Sequence, residues 1–455
     1  MTDPSSNKNH RPNRRQFIQT SAAVGMATGI GYISGREAKA AKGPNEKLNI
    51  GIIGCSGRGG HNLGQVSGEN IVALCDVDSR HIARAKRGRD KAKEFRDFRK
   101  MLDDPSLNLD AVVVSTTDMT HAPAAVRAMR RNLHVYSEKP LAHTVGEARL
   151  MQETYKERKN KIATQMGTQI HATDNYRRVV ELCQQGAIGQ VKEAHVWCNR
   201  RSSQKPVPTG EGTPPSYLDW DLWTGPSPKR PYQRGLMPGN LTWNRYWDFG
   251  NGIIGDMGSH LIDLPYWALG LTYPTSVHAS SPKQSPLIYP DWLVVNWEHP
   301  KRGDGPAEQP CTVTWYDGAK KPNNLHGIDL RKYGIGAMFV GTKGILLADY
   351  GKRTIYPLEG DPIATPTAPK QTIKKSIGHH KEWLAACKGD PTATLCNFDY
   401  SGKLIEHNLL GVVSHKCGNK KLAWDAKQLK VTNAPEADKF IHKTYRKGWG
   451  FEDVS

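Results

Sequence analysis

The sequence lacks any apolar run long enough to cross a membrane. A spanning helix needs roughly eighteen uninterrupted apolar residues, and no stretch of this chain reaches that length. The eight cysteines lack the Cys-x-x-Cys spacing of a structural zinc site. We therefore expect a protein with no membrane span and no cysteine-bound zinc, whose thiols are mostly buried as small apolar side chains.

An acidic excess is also missing. The 63 Lys and Arg residues outnumber the 44 Asp and Glu residues, which gives a formal net charge of +19. The basic residues are spread along the chain and no nucleic-acid motif accompanies them, so we expect no nucleic-acid partner. We favour a basic surface that aids solubility; the alternative is attraction to acidic substrates such as uronates or sulfated glycans.

Residues 1–40 have the pattern of an export signal. An Arg-Arg pair at 14–15 precedes a mildly apolar stretch at 22–33, and Ala-Lys-Ala at 38–40 has the small-x-small spacing of a cleavage site. The pair resembles a twin-arginine signal, which implies passage through the twin-arginine export machinery to the periplasm or another place outside the cytoplasm. A disordered basic tail is the alternative. We expect the mature protein to begin near Ala41.

The length of 455 residues favours two domains. Over residues 41–165, strand and helix patterns alternate, which predicts a Rossmann domain with a parallel sheet and crossover helices. The predicted strands are 47–53, 71–75, 111–114 and 134–136. The predicted helices begin near residue 58 and span 83–98, 123–131 and 145–158.

Residues 166–455 show a different pattern, with short alternating strands at 193–198, 312–315 and 336–340. This pattern predicts an α+β domain with a mostly antiparallel sheet. Residues 202–250 are irregular and rich in Pro, Gly, Trp and Tyr. Long irregular segments of this kind tend to be functional, so we expect this one to line a substrate cleft or a subunit contact.

A glycine-rich turn follows the first predicted strand. Gly54 and Gly59 match the first and third glycines of the G-x-G-x-x-G pattern, while Ser56 replaces the middle glycine beside Gly57. Such a turn lets the backbone approach a pyrophosphate at the start of the next helix, here near Arg58. A plain glycine turn is the alternative.

An acidic residue follows the second predicted strand, as in dinucleotide-binding domains. Asp76 lies 22 residues after Gly54, and its carboxylate could accept hydrogen bonds from ribose hydroxyls, which favours NAD over NADP. Arg58 and Arg80 could instead bind a phosphate, so NADP remains open.

Two further motifs carry groups suited to proton and charge chemistry. Glu138-Lys139-Pro140 follows the fourth predicted strand, at the sheet edge where ligands of such folds bind; a surface lysine is the alternative. Asp256 and His260 are four residues apart and could share a helical face. A helix cap and a core histidine are the alternatives for that pair, and metal binding with Asp263 is disfavoured.

Together these motifs resemble the glucose–fructose oxidoreductase/inositol dehydrogenase/MocA (Gfo/Idh/MocA) family. Three other segments, 219–226, 243–249 and 445–449, look like those of its exported bacterial members. The resemblance covers nearly all of the mature chain. It implies an oxidoreductase that acts on a secondary hydroxyl of a sugar, with Lys139, Asp256 and His260 as catalytic residues and no metal. It also implies a homo-oligomer, a dimer or tetramer, with the far face of the second sheet in the subunit contact.

The resemblance implies a set of cofactor contacts. Ser115, Thr116 and His121 would lie near the cofactor, and Gln169 would lie at the domain junction. The expected cofactor contacts are Gly54, Ser56, Gly57, Arg58, Gly59, Asp76, Ser115, Thr116, His121, Glu138, Lys139 and Gln169. The replacement at Ser56 leaves the detailed phosphate geometry open.

The expected mechanism is hydride transfer to a tightly held nicotinamide. His260 would take the proton of a sugar hydroxyl, Lys139 would stabilise the alkoxide, and Asp256 would orient His260 or hold a neighbouring hydroxyl. Two alternatives stay open. One is a redox-neutral glycosidase or lyase that works through a transient keto-sugar. The other is a sugar-binding protein without catalysis.

Overall fold

The computed structural model describes residues 43, 45–236, 241–282, 284–301, 303, 309–390 and 392–451. The predicted export signal at residues 1–40 lies outside these residues. Over the described parts of the chain, no helix has both the length and the apolar character needed to cross a bilayer.

Six parallel strands form the first sheet. They are β1 (Asn49–Ile53), β2 (Asn70–Cys75), β3 (Lys93–Phe95), β4 (Ala111–Val114), β5 (His134–Ser137) and β6 (Thr164–Met166). Their spatial order is β3-β2-β1-β4-β5-β6, so the chain reverses direction across the sheet between β1 and β4. In open parallel sheets, ligands bind at this reversal, outside the carboxyl ends of the strands. The predicted Rossmann fold is confirmed.

Helices lie between successive strands of this sheet, and one more follows β6. They are α1 (Arg58–Gln65), α2 (Ser79–Lys86), α3 (Phe98–Asp103), α4 (Asp118–Arg130), α5 (Val145–Arg158) and α6 (Asp174–Gln184).

The single helix predicted over 83–98 is wrong. Asp78 caps α2 by accepting a hydrogen bond from the Arg80 amide at 2.9 Å, so the helix begins earlier, and it ends before Gly88, whose φ is +72°. Residues 93–95 then pair with β2 as a short charged edge strand. Strand pairing outweighs the helical pattern of this basic segment.

The second sheet has ten strands and is mostly antiparallel, as predicted. Its strands are β7 (Val191–Cys198), β8 (Ser276–Ser280), β9 (Val294–His299), β10 (Cys311–Asp317), β13 (Ile335–Gly341), β14 (Gly344–Ala348), β15 (Arg353–Pro357), β16 (Ile363–Ala364), β17 (Leu422–Asp425) and β18 (Lys430–Val431). β7 and β10 form a parallel pair near its centre. A separate hairpin consists of β11 (Asn324–Leu325) and β12 (Ile328–Asp329).

The helices of the second half are α7 (Trp220–Thr224), α8 (Ser259–Leu261), α9 (Asp263–Ala268), α10 (His379–Cys387), α11 (Phe398–Lys416) and α12 (Asp438–Ile441). Two of them, α10 and α11, pack against the first sheet or its helices. Trp383 of α10 is buried among the apolar residues of the first sheet, and α11 packs along α5. Arg149 and Glu406 join α5 to α11 through two hydrogen bonds of 2.9 Å.

Candidate active site

A cavity of about 710 Å³ lies at the carboxyl ends of the first sheet's strands. The glycine-rich turn and Asp76 line one part of it, and the three predicted catalytic residues line another. The predicted residues on its wall are Gly54, Ser56, Gly57, Arg58, Asp76, Ser115, Thr116, Glu138, Lys139, Gln169, Asp256 and His260. A cavity of this size and composition suits a dinucleotide together with a small polar substrate.

The glycine turn has no room for side chains at two positions. A Cβ on Gly54, whose φ is +88°, would lie 2.2 Å from the Ser115 carbonyl oxygen, and a Cβ on Gly59 would lie 2.0 Å from the Gly54 oxygen. Gly57 precedes α1 without a side-chain cap, and although the Gly59 amide donates to the Ser56 carbonyl at 2.9 Å, the Arg58 amide at the start of the helix is left for an anion. The turn therefore fits a pyrophosphate although Ser56 replaces a glycine.

Asp76 is fixed at the end of β2. One carboxylate oxygen accepts the Cys55 amide at 2.8 Å and the other accepts the Asp78 amide at 2.9 Å. Oδ1 also lies 3.3 Å from His81 Nδ1, whereas Oδ2 keeps a further lone pair for a ribose hydroxyl. Arg80 is bound to Asp78 at 2.7 Å and its guanidinium lies 3.3 Å from the centre of the Tyr217 ring. These contacts engage Arg80, which favours a ribose hydroxyl over a phosphate here.

A segment of the irregular region closes over this part of the cavity, and we call residues 217–219 the clasp. The Ser79 amide donates to the Tyr217 carbonyl, and the Asp219 amide donates to the Val77 carbonyl, both at 2.9 Å. Leu218 of the clasp lines the cavity. The irregular region therefore lines the cavity, which agrees with one of its two predicted roles.

Lys139 and Asp256 form a buried ion pair in the cavity wall. Lys139 Nζ donates to Asp256 Oδ1, and Arg200 donates to Oδ2 at 3.0 Å. Burial raises the pKa of Asp256, but the charge of Lys139, its hydrogen bond and the nearby cations outweigh burial and lower that pKa overall. Asp256 is therefore a carboxylate, and it holds the Lys139 side chain in place in the cavity wall.

Asp256 lies in a π-helical turn, Ile254–Gly258, which passes directly into α8. Turns of this type widen the helix and are frequent at functional sites. Both Asp256 and His260 still line the cavity. The expected orientation of His260 by Asp256 is replaced, however, because His260 Nδ1 lies 3.2 Å from the Thr168 hydroxyl oxygen.

The Thr168 hydroxyl fixes the tautomer of His260. This hydroxyl donates to the Ser259 carbonyl at 3.0 Å, so its oxygen is left to accept the Nδ1 proton. Burial, followed by the charge of Lys139, lowers the pKa of His260 to about 3. The neutral ring thus presents Nε2 as an acceptor, and Nε2 has no hydrogen-bond partner among the residues the structure describes.

Two predicted cofactor contacts do not line the cavity. Gly59 is buried where α1 approaches the turn. His121 is buried behind the wall, with Nδ1 2.7 Å from the Pro140 carbonyl and Nε2 3.2 Å from the Thr116 carbonyl. His121 thereby ties the loop after β4 to the Lys139-Pro140 segment. Asp263 is bound to His171 at 2.9 Å and to the Tyr400 hydroxyl at 2.7 Å.

Sequence reasoning missed several groups that the fold brings to the site. Thr168, Arg200 and Tyr350 come from three different connecting segments. The Tyr350 hydroxyl has no partner among the described residues although it is buried. Asp118 is also buried in the wall and accepts the Asn251 amide at 3.0 Å. No spacing rule marks these residues, because their roles depend on which loops meet.

Family comparison agrees with this architecture. A family model described as "Oxidoreductase family, NAD-binding Rossmann fold" matches residues 48–166, and one described as "Oxidoreductase family, C-terminal alpha/beta domain" matches residues 195–303. The first description confirms the predicted cofactor class, NAD.

Individual relatives match parts of the chain. It is 28% identical over 249 residues to inositol 2-dehydrogenase 2 of Saccharopolyspora erythraea, covering 54% of this chain and 60% of the relative. It is 31% identical over 153 residues to a glycosyl hydrolase family 109 protein of Solibacter usitatus, covering 30% of this chain and 35% of the relative. Both matches span less than two thirds of the curated relative.

The fold is similar to that of the WlbA dehydrogenase from Bordetella pertussis, solved with NADH and UDP-GlcNAcA. The TM-score is 0.57 at 17% identity, over 84% of this chain and 99% of that chain. At this identity the likeness supports the fold.

Proposed function

The chain belongs to the Gfo/Idh/MocA oxidoreductase family, and from that premise we propose that it oxidises a secondary hydroxyl of a sugar or sugar derivative with NAD. The proposal depends on one observation above all. A single cavity joins a pyrophosphate-type turn and a ribose-type carboxylate to a lysine, a carboxylate and a neutral histidine. When bound there, a nicotinamide supplies the hydride acceptor.

The chain's own residues then handle the proton and the charge. His260 Nε2 accepts the proton of the substrate hydroxyl, because Thr168 occupies Nδ1. The Lys139 ammonium stabilises the negative charge that develops on the same oxygen. Asp256 holds Lys139 in place, and the Tyr350 hydroxyl offers a donor to a neighbouring substrate hydroxyl.

We further propose that the protein works outside the cytoplasm and retains its cofactor between turnovers. The twin-arginine pattern at residues 1–40 supports export, a route that carries folded proteins. An exported enzyme that released NADH would stall, because no pool of free nicotinamide surrounds it. The clasp over the Asp76 end of the cavity supports retention. A homo-oligomer formed through the second sheet is part of the same proposal.

A second candidate function is redox-neutral cleavage of a glycosidic bond. The similarity to a glycosyl hydrolase family 109 protein favours it. A transient ketone acidifies the adjacent C–H, so the bond can be eliminated, and the ketone is reduced again after water adds. This reaction uses the same proton acceptor and the same ammonium group.

Sugar turnover by native protein tests both functions. Incubation with a panel of free sugars and glycosides should show oxidation that requires a second sugar as acceptor, whereas release of free sugar from a glycoside without an acceptor would favour the second function. Lys139→Met should lower either turnover by at least about 100-fold with the nucleotide retained. The exposed-site control Lys161→Met should match the wild type. Full activity of Lys139→Met would contradict both functions.

A further inference from the structure

We propose that Glu193, His195 and His326 form a binding site for a divalent transition metal ion such as Zn²⁺, away from the active-site cavity. Glu193 and His195 lie on β7, and His326 lies in the turn between β11 and β12. None of the three lines that cavity. Two imidazoles and one carboxylate form a common donor set for zinc, with water in the remaining position.

The alternation of β7 brings the first two ligands together. Ala194 and Val196 face the large apolar core, so Glu193 and His195 lie on the opposite face, the one that also carries Trp197. Residues two apart on a strand project from the same face, so one strand supplies two neighbouring metal ligands.

The distances between the donor atoms match those of a coordination shell. Glu193 Oε2 lies 3.1 Å from His195 Nε2 and 3.5 Å from His326 Nε2, and all three donor atoms lie within 4.8 Å of one another. Ligands at about 2.0–2.1 Å from a tetrahedral zinc ion are about 3.3–3.4 Å apart, by the geometry of a tetrahedron. The two separations from Glu193 Oε2 therefore match this spacing, and the third pair lies within the 4.8 Å limit.

His195 is oriented by a group behind it. Its Nδ1 lies 3.1 Å from the Tyr316 hydroxyl, and the two rings are stacked. Metal-bound histidines commonly donate their second ring N–H to such an acceptor, which fixes the tautomer that presents a bare Nε2.

His326 is held in place by its hairpin. His326 and Gly327 both have positive φ, +50° and +81°, as the two central residues of a tight hairpin turn require. Leu325 and Ile328 on either side pack against the apolar cluster around Trp197. The turn thus holds the imidazole near β7, and the metal ion would join the hairpin to the sheet.

Zinc titration of metal-free, untagged full-length protein tests the site. Isothermal titration calorimetry with ZnCl₂ should show one zinc ion bound per wild-type chain. In His326→Asn and in Glu193→Gln the zinc affinity should be at least about 100-fold weaker, because each variant removes a direct ligand. Asn tolerates the positive φ at position 326, so the turn should keep its shape. His278→Asn, at an exposed histidine of β8, is the matched control.

Two further measurements make the test specific. Tyr316→Phe should weaken zinc binding by about 10- to 100-fold, as loss of a supporting hydrogen bond does. Sugar turnover of His326→Asn should equal that of the wild type, which separates this site from the proposed catalysis. Zinc binding that is absent in the wild type, or equal in the wild type and His326→Asn, would overturn the proposal and leave a carboxylate hydrogen-bonded to two histidines.

Discussion

Thr168→Val should lower kcat by about 10- to 100-fold while KM changes little. Valine has the shape of threonine but cannot accept the Nδ1 proton of His260 or donate to the Ser259 carbonyl. Leaving a buried donor unpaired costs about 1–3 kcal/mol. The ring then favours the tautomer that carries its proton on Nε2, so a loss of about 1.4–2.7 kcal/mol corresponds to the stated range in rate.

The assay is steady-state sugar oxidation across pH, with Thr168→Ser as the matched variant. Serine keeps the hydroxyl and should restore most of the rate, which a purely structural role for the threonine methyl group would not predict. Equal retention of nucleotide in all three proteins would show that the cofactor site is intact. A Thr168→Val protein with wild-type kcat, or a serine variant as slow as valine, would refute the assignment of Nε2 as proton acceptor.

Three other substitutions probe the rest of the cavity. Burial raises the pKa of Asp118 to about 8, so the folded state keeps a proton that the unfolded state loses. The contribution of Asp118 to the free energy of unfolding should therefore fall as pH rises from about 4 to about 8, and the thermal melts of wild type and Asp118→Asn should differ in their pH dependence by that fall. Gly54→Ala should abolish nucleotide binding measured by mass spectrometry, because its Cβ would meet the Ser115 carbonyl at a positive φ. Tyr217→Ala should loosen the clasp, so bound nucleotide should exchange with labelled NAD at least about tenfold faster. An unchanged exchange rate would contradict retention of the nucleotide by the clasp.

The fold was predictable where local pattern and tertiary structure agree. The predicted boundaries of β4 and α5 coincide with the observed ones, because β4 is a continuous buried β-branched run and α5 begins at a capping box formed by Thr144 and Glu147. The edge strand β3 was missed, since two exposed charged residues and one half-buried phenylalanine carry no strand pattern of their own. The packing of α10 against the first sheet was also not predicted, because no local sequence pattern indicates such a long-range contact.

The site was predictable to the extent that it is built from motifs. Lys139 was predicted from the Glu-Lys-Pro motif and Asp256 from the Asp-x-x-x-His motif. In the structure these two residues form one ion pair. Thr168 and Arg200 could not be predicted in the same way. The Thr168 side chain contacts His260 and the Arg200 side chain contacts Asp256 only because distant parts of the chain pack together. A hydroxyl or a guanidinium occurs at many positions in a sequence without such a contact.

The nucleotide content of natively purified protein tests whether the chain binds NAD and retains it between turnovers. The protein would be denatured, and any released nucleotide would be identified and counted by mass spectrometry. We expect close to one NAD(H) per chain, because the glycine turn fits a pyrophosphate, Asp76 suits ribose hydroxyls, and the clasp should slow release. Release of NADP(H) would contradict the assignment of Asp76, and an absence of any nucleotide would contradict a cofactor retained between turnovers.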